Sequence, residues 1–310
     1  MSLYQDNRPT SLKQFIGNKP VVAAIQNMIN MEKIPPVILL HGLHGLGKTT
    51  LARLIPKLAG VKKMDIKELD IGSTRGIDNI RDLREQSMSK PFSSPYRFYI
   101  LDEFHAATAD AKTAALKWLE DTPAHVRIIM CTTEAAKLPG TVKSRCTPFQ
   151  LKPLNTKEMA KVISDVIKAE KIELADSVIE KIIDNSGGIP RQALVYVEAV
   201  MGLGEEDALE IIQSITGESE ELKSLFNCLL KKTDWAGYCK VIKGLKEEPE
   251  TIRRAVLGYV SAIMLNQSNG KEGFLNRLAA ILEIFENNWY DNGKSGLVKA
   301  CYEVYCLGRK

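Results

Sequence analysis

Gly42, Gly47, Lys48 and Thr49 stand in the stretch Gly42-Leu-His-Gly-Leu-Gly-Lys-Thr49 and match the pattern G-x-x-x-x-G-K-[ST]. Glycines at these positions, Gly45 among them, let successive backbone N–H groups converge on phosphate oxygens. The N-terminus of a following helix adds a favourable partial charge. Lys48 can then reach the β- and γ-phosphates of a nucleoside triphosphate, and the Thr49 hydroxyl can ligate Mg²⁺. Such a cradle needs a partner for the metal and a group that orients water. Asp102 and Glu103, closing Phe98-Tyr-Ile-Leu-Asp-Glu103, can supply both, Asp102 through the metal's water shell and Glu103 by polarising the attacking water. Two adjacent carboxylates at the end of an apolar strand are costly unless a cation shares the site. Thr133, at the end of the strand-like segment that starts at Val126, can hydrogen-bond a γ-phosphate or the water, or simply close a strand. Arg145, in Lys143-Ser-Arg-Cys146, and Arg191, after Gly187-Gly-Ile-Pro190, carry the planar, always-charged group that suits a transferring phosphoryl. From spacing alone each also fits an ordinary surface arginine.

These residues need a rigid frame. The apolar, uncharged run 37–40 reads as a strand buried on both faces, and strand-like runs recur at 68–71, 97–101, 126–132 and 148–151. Helical patterns at 21–31, 49–58, 77–88 and 109–119 lie between them, which predicts an α/β fold with a parallel sheet covered by helices. After Pro153 the strands stop. Asn155-Thr-Lys-Glu158 is a capping-box-like start, followed by apolar residues in helical period at Met159, Val162, Ile163, Val166 and Ile167. Helices at 177–185 and 190–201 complete a small all-α unit. Residues 202–206 read as a linker or break, and the remainder as four or five amphipathic helices interrupted near 246–250, 266–272 and 287–295. The expected domains are therefore 1–152, 153–204 and 205–310.

Composition sets the outer limits. The chain has 310 residues, enough for two or three domains, and its 45% hydrophobic and 26% charged content is that of an ordinary soluble globular protein. No apolar run approaches a membrane span, and residues 1–8 lack a signal-peptide apolar region, so a cytoplasmic location without membrane contact is expected. A net charge of +4 neither proves nucleic-acid binding nor excludes a local basic track. The six cysteines form no C-x-x-C pair, which argues against a zinc site or a disulfide framework.

The order of the phosphate-cradle motif, Asp102-Glu103, Thr133, Ser-Arg145-Cys and Gly-Gly-x-x-Arg191 resembles the AAA+ ATPase subunits of DNA sliding-clamp loaders. The connecting segments Thr74-Arg-Gly-Ile-Asp-Asn-Ile-Arg81, Leu119-Glu-Asp-Thr-Pro-Ala-His-Val126 and Lys137-Leu-Pro-Gly-Thr-Val-Lys-Ser-Arg-Cys146 are similar to those of the bacterial motor subunit and its eukaryotic, archaeal and phage relatives. The resemblance is specific from Arg8 to about Val200; beyond that it rests on length and helical character. It implies an AAA+ domain, a helical lid and a helical collar through which subunits assemble. By motif, Gly42, Gly45, Leu46, Gly47, Lys48, Thr49 and Thr50 would bind ATP, and Thr49 with Asp102 would hold Mg²⁺. Glu103 would be the hydrolytic carboxylate and Thr133 sensor 1. Arg145 would be a finger inserted into a neighbouring subunit's site, and Arg191 sensor 2. Arg8 and Ile16 lie in the segment that borders the adenine.

Further roles follow from the same resemblance. Arg75, Arg81 and Lys112 occupy positions that track a DNA strand, and they fit equally as solvated helix charges. Met88 and Phe92 fall at the tip that wedges into the clamp, where Phe92 suits either a hydrophobic anchor or local packing. The implied partners are the sliding clamp, companion subunits in an assembly expected to be pentameric, and primer–template DNA. One departure is clear: the bacterial motor subunit carries a four-cysteine zinc module after its P-loop helix, and this chain has none there. With a chain ending near the collar, that suggests a compact archaeal-, eukaryotic- or phage-like version. Competing readings are a related helicase-loading or branch-migration ATPase, whose basic winged helix the last hundred residues do not suggest, and a nucleotide-binding structural subunit, against which Lys48, Asp102, Glu103 and Arg191 all argue.

Overall fold

The computed structural model describes residues 2–74, 76–216, 220–231, 233–245, 248–266, 272–286 and 293–307. The chain divides into two compact units, 1–209 and 210–310.

The first unit holds a five-stranded sheet of β1 (Val37–His41), β2 (Ile66–Asp70), β3 (Arg97–Asp102), β4 (Val126–Thr132) and β5 (Thr147–Gln150). Its order is β2-β3-β4-β1-β5, with every pairing parallel. β1, β3 and β4 are near-continuous apolar runs because both of their faces are covered. Alternate residues go to opposite sides. Ile38, Leu40, Phe98, Ile100 and Ile129 pack against α2 (Lys19–Asn30) and α3 (Lys48–Leu58), through residues such as Ile25, Leu51 and Ile55. Val37, Leu39, Tyr99, Leu101 and Met130 pack against α4 (Ile77–Ser87), α5 (Ala109–Glu120) and α6 (Gly140–Lys143). There Tyr99 meets Trp118 edge-on at 4.9 Å.

β2 begins two residues before the expected start and ends at Asp70. It is an edge strand in which only Ile66 and Leu69 are apolar, so its register is fixed by pairing Ile66 with Phe98 and Asp70 with Asp102 rather than by a pattern legible in sequence. β5 starts at Thr147, one residue early. Its Pro148 is tolerated because β5 is the other edge.

A short α1 (Leu3–Asp6) packs on a three-helix group of α7 (Thr156–Glu170), α8 (Asp176–Asn185) and α9 (Pro190–Val200). The Asn155–Glu158 capping box is formed in both directions. α10 (Glu205–Thr216) follows.

The second unit contains α11 (Glu220–Leu230), α12 (Trp235–Gly244), α13 (Pro249–Asn266), α14 (Glu272–Ile284) and α15 (Gly293–Cys306). Leu225, Leu229, Ile242, Val256, Ile281, Phe285 and Val304 build its core. Buried Tyr238 donates its hydroxyl to the Cys228 carbonyl at 2.6 Å. Arg253 caps α14 by donating to the Phe285 and Glu286 carbonyls, both at 2.9 Å. The break between α11 and α12 was not expected; the Asp234 side chain makes it by accepting the Gly237 N–H at 3.0 Å. The expected breaks near 246–250, 266–272 and 287–295 fall largely outside the described residues. Among the described residues no helix is long and apolar enough to cross a membrane.

Candidate nucleotide-binding site

β1 lies between β4 and β5, so the chain leaves its carboxyl end in one direction through α3 and must cross β4 and β3 to reach β2. A crevice at such a reversal of strand order is where open parallel sheets bind ligands. The glycine-rich turn 42–47 occupies it. Gly42, Gly45 and Gly47 have φ of 145°, 79° and 92°, values that side-chain-bearing residues rarely adopt. A Cβ on Gly42 would come within 2.4 Å of the Leu151 carbonyl oxygen, and one on Gly45 within 2.7 Å of Ile189. The cradle is thus backbone-lined by steric necessity.

Lys48 opens α3 and is buried, with its ammonium donating to the Gly42 and Leu43 carbonyls at 3.0 and 2.9 Å. Burial pulls its pKa down, and the Glu103 and Asp102 charges partly restore it. Thr49 donates its hydroxyl to Asp102 Oδ2 at 2.7 Å, and Asp102 Oδ1 accepts the Glu103 N–H at 3.1 Å. Hydroxyl and carboxylate oxygens converging beside a phosphate cradle are the donor set of a hard cation such as Mg²⁺. The residues fit that group.

Glu103 sits at φ 48°, in the left-handed region. Side-chain-bearing residues adopt that conformation uncommonly, and Asn18, Glu32 and Lys171 share it. Its Oε2 lies 3.3 Å from the Thr133 hydroxyl and 3.2 Å from His105 Nδ1, and its Oε1 lies 3.7 Å from His44 Nδ1. His44 Nε2 in turn contacts the Arg191 guanidinium, which lies over the Tyr4 ring at 5.0 Å. Next to this cluster a cavity of about 650 Å³ is lined by Arg8, Ile16, Gly45, Leu46, Gly47, Thr50 and Arg191. Its size suits a nucleoside. The sheet's carboxyl edge therefore brings together Lys48, Thr49, Asp102, Glu103, Thr133 and Arg191, with Arg8 and Ile16 on the neighbouring cavity wall. Buried Cys131 lies behind Lys48; burial pushes its thiol well up, which leaves it an apolar filler.

The remaining expected residues lie elsewhere. Arg145 is exposed and donates to the Thr141 carbonyl at 2.7 Å and to Glu120 at 2.5 Å, partners on α6 and α5 rather than on the P-loop. Arg81 is an exposed α4 residue 3.6 Å from Asp78. Lys112 on α5 donates its ammonium to the His105 carbonyl at 2.9 Å. Arg75 lies outside the described residues. Met88 and Phe92 are 53% and 78% exposed.

Sequence reasoning missed His44 and His105, whose only signal is a polar ring inside the P-loop and one two residues after Glu103. It also missed the support under Phe92. Asp65 is fully buried and accepts the Phe92 and Ser93 N–H groups at 2.7 and 3.1 Å. Arg97, 4.0 Å from Asp65, donates to the Gln86 and Lys90 carbonyls, both at 2.9 Å, and lies 5.4 Å from the Phe92 ring centre.

A five-stranded parallel sheet in this order, with P-loop, Asp-Glu and arginine at its carboxyl edge, defines a P-loop AAA+ protein. Among solved structures the Thermotoga maritima RuvB Holliday junction branch migration motor superposes with a TM-score of 0.58, covering 72% of this chain and 79% of that one. At 21% identity that likeness speaks for the fold alone. A profile of the DNA polymerase III delta subunit family matches residues 61–155. DNA polymerase III subunit gamma of Buchnera aphidicola subsp. Schizaphis graminum is 31% identical across 98% of this chain and 90% of its own length. The gamma/tau subunit of Mycoplasma genitalium is 31% identical over 67% of this chain, which spans 38% of that longer protein. Bacillus subtilis DNA polymerase III subunit tau is 28% identical over 69% of this chain and 43% of its own. The chain belongs to the DNA polymerase III gamma/tau family, the AAA+ ATPase subunits of the clamp loader. These relatives are bacterial, so the absent zinc module does not by itself move the chain towards the archaeal, eukaryotic or phage branches.

Proposed function

We propose that this chain is an ATP-hydrolysing subunit of a cytoplasmic assembly that opens a sliding clamp and places it on primer–template DNA. The observation that carries the reading is the contact of Thr49 with Asp102, beside Glu103 and buried Lys48, at the mouth of a nucleoside-sized cavity. ATP with Mg²⁺ would supply the scissile phosphoric anhydride and the charge that polarises it. Arg8, Ile16 and Leu46 border the base and ribose. The glycine N–H groups hold the phosphates, and Lys48 exchanges its two carbonyl partners for phosphate oxygens. Thr49 and Asp102 would hold the Mg²⁺. Glu103 orients the attacking water and accepts its proton, with Thr133 beside it. Arg191 reaches the phosphates from the start of α9.

Residues 153–204 serve in this reading as a lid and 205–310 as the collar of a five-subunit ring. Met88 and Phe92 meet the clamp, and Arg75, Arg81 and Lys112 follow DNA phosphates. Arg145 acts in trans, which its exposure and its partners on α5 and α6 support. Such head-to-tail sharing requires a heterologous interface. Arg145→Ala is expected to bind ATP normally as an isolated subunit and to fail in turnover within the assembly. Mixing it with Lys48→Ala restores a fraction of the activity, because an Arg145-bearing neighbour then serves an intact P-loop. A mixture that stays inactive while both variants assemble contradicts the trans role.

A further inference from the structure

We propose that Asp65, Arg97 and His125 are positioning residues that hold the tip 86–94 in the form that docks a protein partner, with Met64 as a third apolar anchor beside Met88 and Phe92. This rests on the clamp-loader reading above, in which the partner is the sliding clamp. The three polar residues come from three neighbouring strands. Asp65 precedes β2, Arg97 opens β3 and His125 precedes β4, and the order β2-β3-β4 sets them in a row at the amino edge of the sheet. The parallel register that pairs Ile66 with Phe98 and Arg97 with Val126 puts each one beside the next.

Each of the three reaches the main chain of the tip. Arg97 donates to the Gln86 and Lys90 carbonyls, both at 2.9 Å. His125 Nε2 lies 3.0 Å from the Ser87 carbonyl oxygen and 3.1 Å from that of Ser89. Carbonyls only accept, so this nitrogen carries the proton and donates. Asp65 accepts the Phe92 and Ser93 N–H groups at 2.7 and 3.1 Å. Six main-chain groups between Gln86 and Ser93 are thus held by three side chains of the same chain. Asp65 is fully buried and Arg97 nearly so, which is costly where a hydrophobic residue could fill the space. What the polar set gives instead is one fixed loop conformation.

The side chains left outside that frame are apolar. Met64, Met88 and Phe92 are 59%, 53% and 78% exposed. Met64 belongs to the same tip, because Ser93 donates its hydroxyl to Met64 Sδ at 3.6 Å and the Lys62 N–H donates to Ser94 Oγ at 3.0 Å. Exposed apolar side chains gathered on a fixed support mark an interaction surface, and a loop already fixed in shape loses little freedom on docking. Lys62, Lys63 and Lys90 stand exposed in the same segments, so the matching surface is an apolar recess with an acidic rim.

An anchor and a brace fail differently. Removing an anchor shortens the life of the complex, whereas loosening the brace lowers the fraction of chains able to dock and slows association. The test follows clamp association and dissociation by surface plasmon resonance on the full chain with ATP and Mg²⁺, and records thermal unfolding alongside. Met64→Ser and Phe92→Ser are each expected to speed dissociation by about 5-fold or more. Asp65→Asn and His125→Leu are expected to slow association about 3- to 10-fold, the scale of one lost hydrogen bond, with dissociation nearly unchanged. His125→Gln, whose amide still donates, is expected to recover most of the association rate. If Asp65→Asn fails to fold, the two His125 variants decide. Unchanged association in the folded brace variants overturns the brace, and so does faster dissociation in place of slower association. Met64→Ser indistinguishable from wild type, while Phe92→Ser releases the clamp, overturns the third anchor. A wild-type chain that binds ATP and no clamp overturns the clamp-loader reading, and the proposed docking with it.

Discussion

At the carboxyl edge of the sheet Lys48 rests on two loop carbonyls, Thr49 on Asp102, and Glu103 among two histidines and a threonine. At the amino edge, where β2 and β3 begin, buried Asp65 accepts two backbone N–H groups, and Arg97 closes over the pair and over the end of α4. Both edges bury charge, which is costly unless each group finds a partner. The partners differ in kind. At the carboxyl edge they are groups a ligand would replace or rearrange, and one of them sits on a left-handed backbone. At the amino edge they are main-chain groups of the loop itself, which fix one conformation and present the exposed Phe92 on it. The contrast separates a place built to exchange contacts from one built to hold a shape.

The comparison is broken most severely at Glu103. Glu103→Gln keeps the shape of the side chain but cannot accept a proton, so turnover should fall about 10²- to 10⁴-fold. ATP affinity, measured by filter binding, should stay near wild type. Equal loss of both would make Glu103 structural. Lys48→Ala is next. It removes the main fixed cation at the phosphates, and ATP binding should weaken by about 2–5 kcal/mol. An affinity close to wild type would mean that the two carbonyls, and no phosphate, are the partners that matter.

The smallest effect is expected at the amino edge, on stability rather than turnover. Asp65→Asn turns one acceptor into a donor facing an N–H, which should cost about 1–3 kcal/mol in denaturant unfolding and leave ATP binding unchanged. The pH dependence sharpens this. Burial alone would raise the Asp65 pKa, but the Phe92 and Ser93 N–H donors, the Ser94 hydroxyl and Arg97 outweigh it and hold it below the ordinary value. The charged form is thus the one that folding favours. Its contribution is complete above the unfolded aspartate value of about 3.9 and disappears as pH falls through the lower folded value. The stability gap between wild type and Asp65→Asn should therefore close in acid. A gap constant from pH 7 to pH 3 would contradict the charged brace.

The carboxyl edge was largely legible in sequence because its chemistry is local. Eight consecutive residues encode the cradle, two the carboxylate pair, and apolar runs the strands beneath them. Asn155 and Glu158 announced the start of α7 for the same reason. The amino edge was not legible. Asp65 and Arg97 lie 32 positions apart, in unremarkable surroundings, and meet only because β2 and β3 pair in the register that sets Ile66 beside Phe98. The link from His44 to Arg191 spans 147 positions and depends on α9 packing beside the P-loop. Lys112, one more cation on a helix in sequence, spends its ammonium on the His105 carbonyl in the fold. Asp234 was overlooked because a single capping side chain interrupts an otherwise apolar periodicity.

The most direct test of the account is ATP turnover by the assembly purified with its companion subunits, with clamp and primed DNA added separately and together. The account predicts slow turnover with either alone and a marked rise with both, abolished by Lys48→Ala in this chain. Turnover indifferent to clamp and primed DNA, or unaffected by Lys48→Ala, would contradict it.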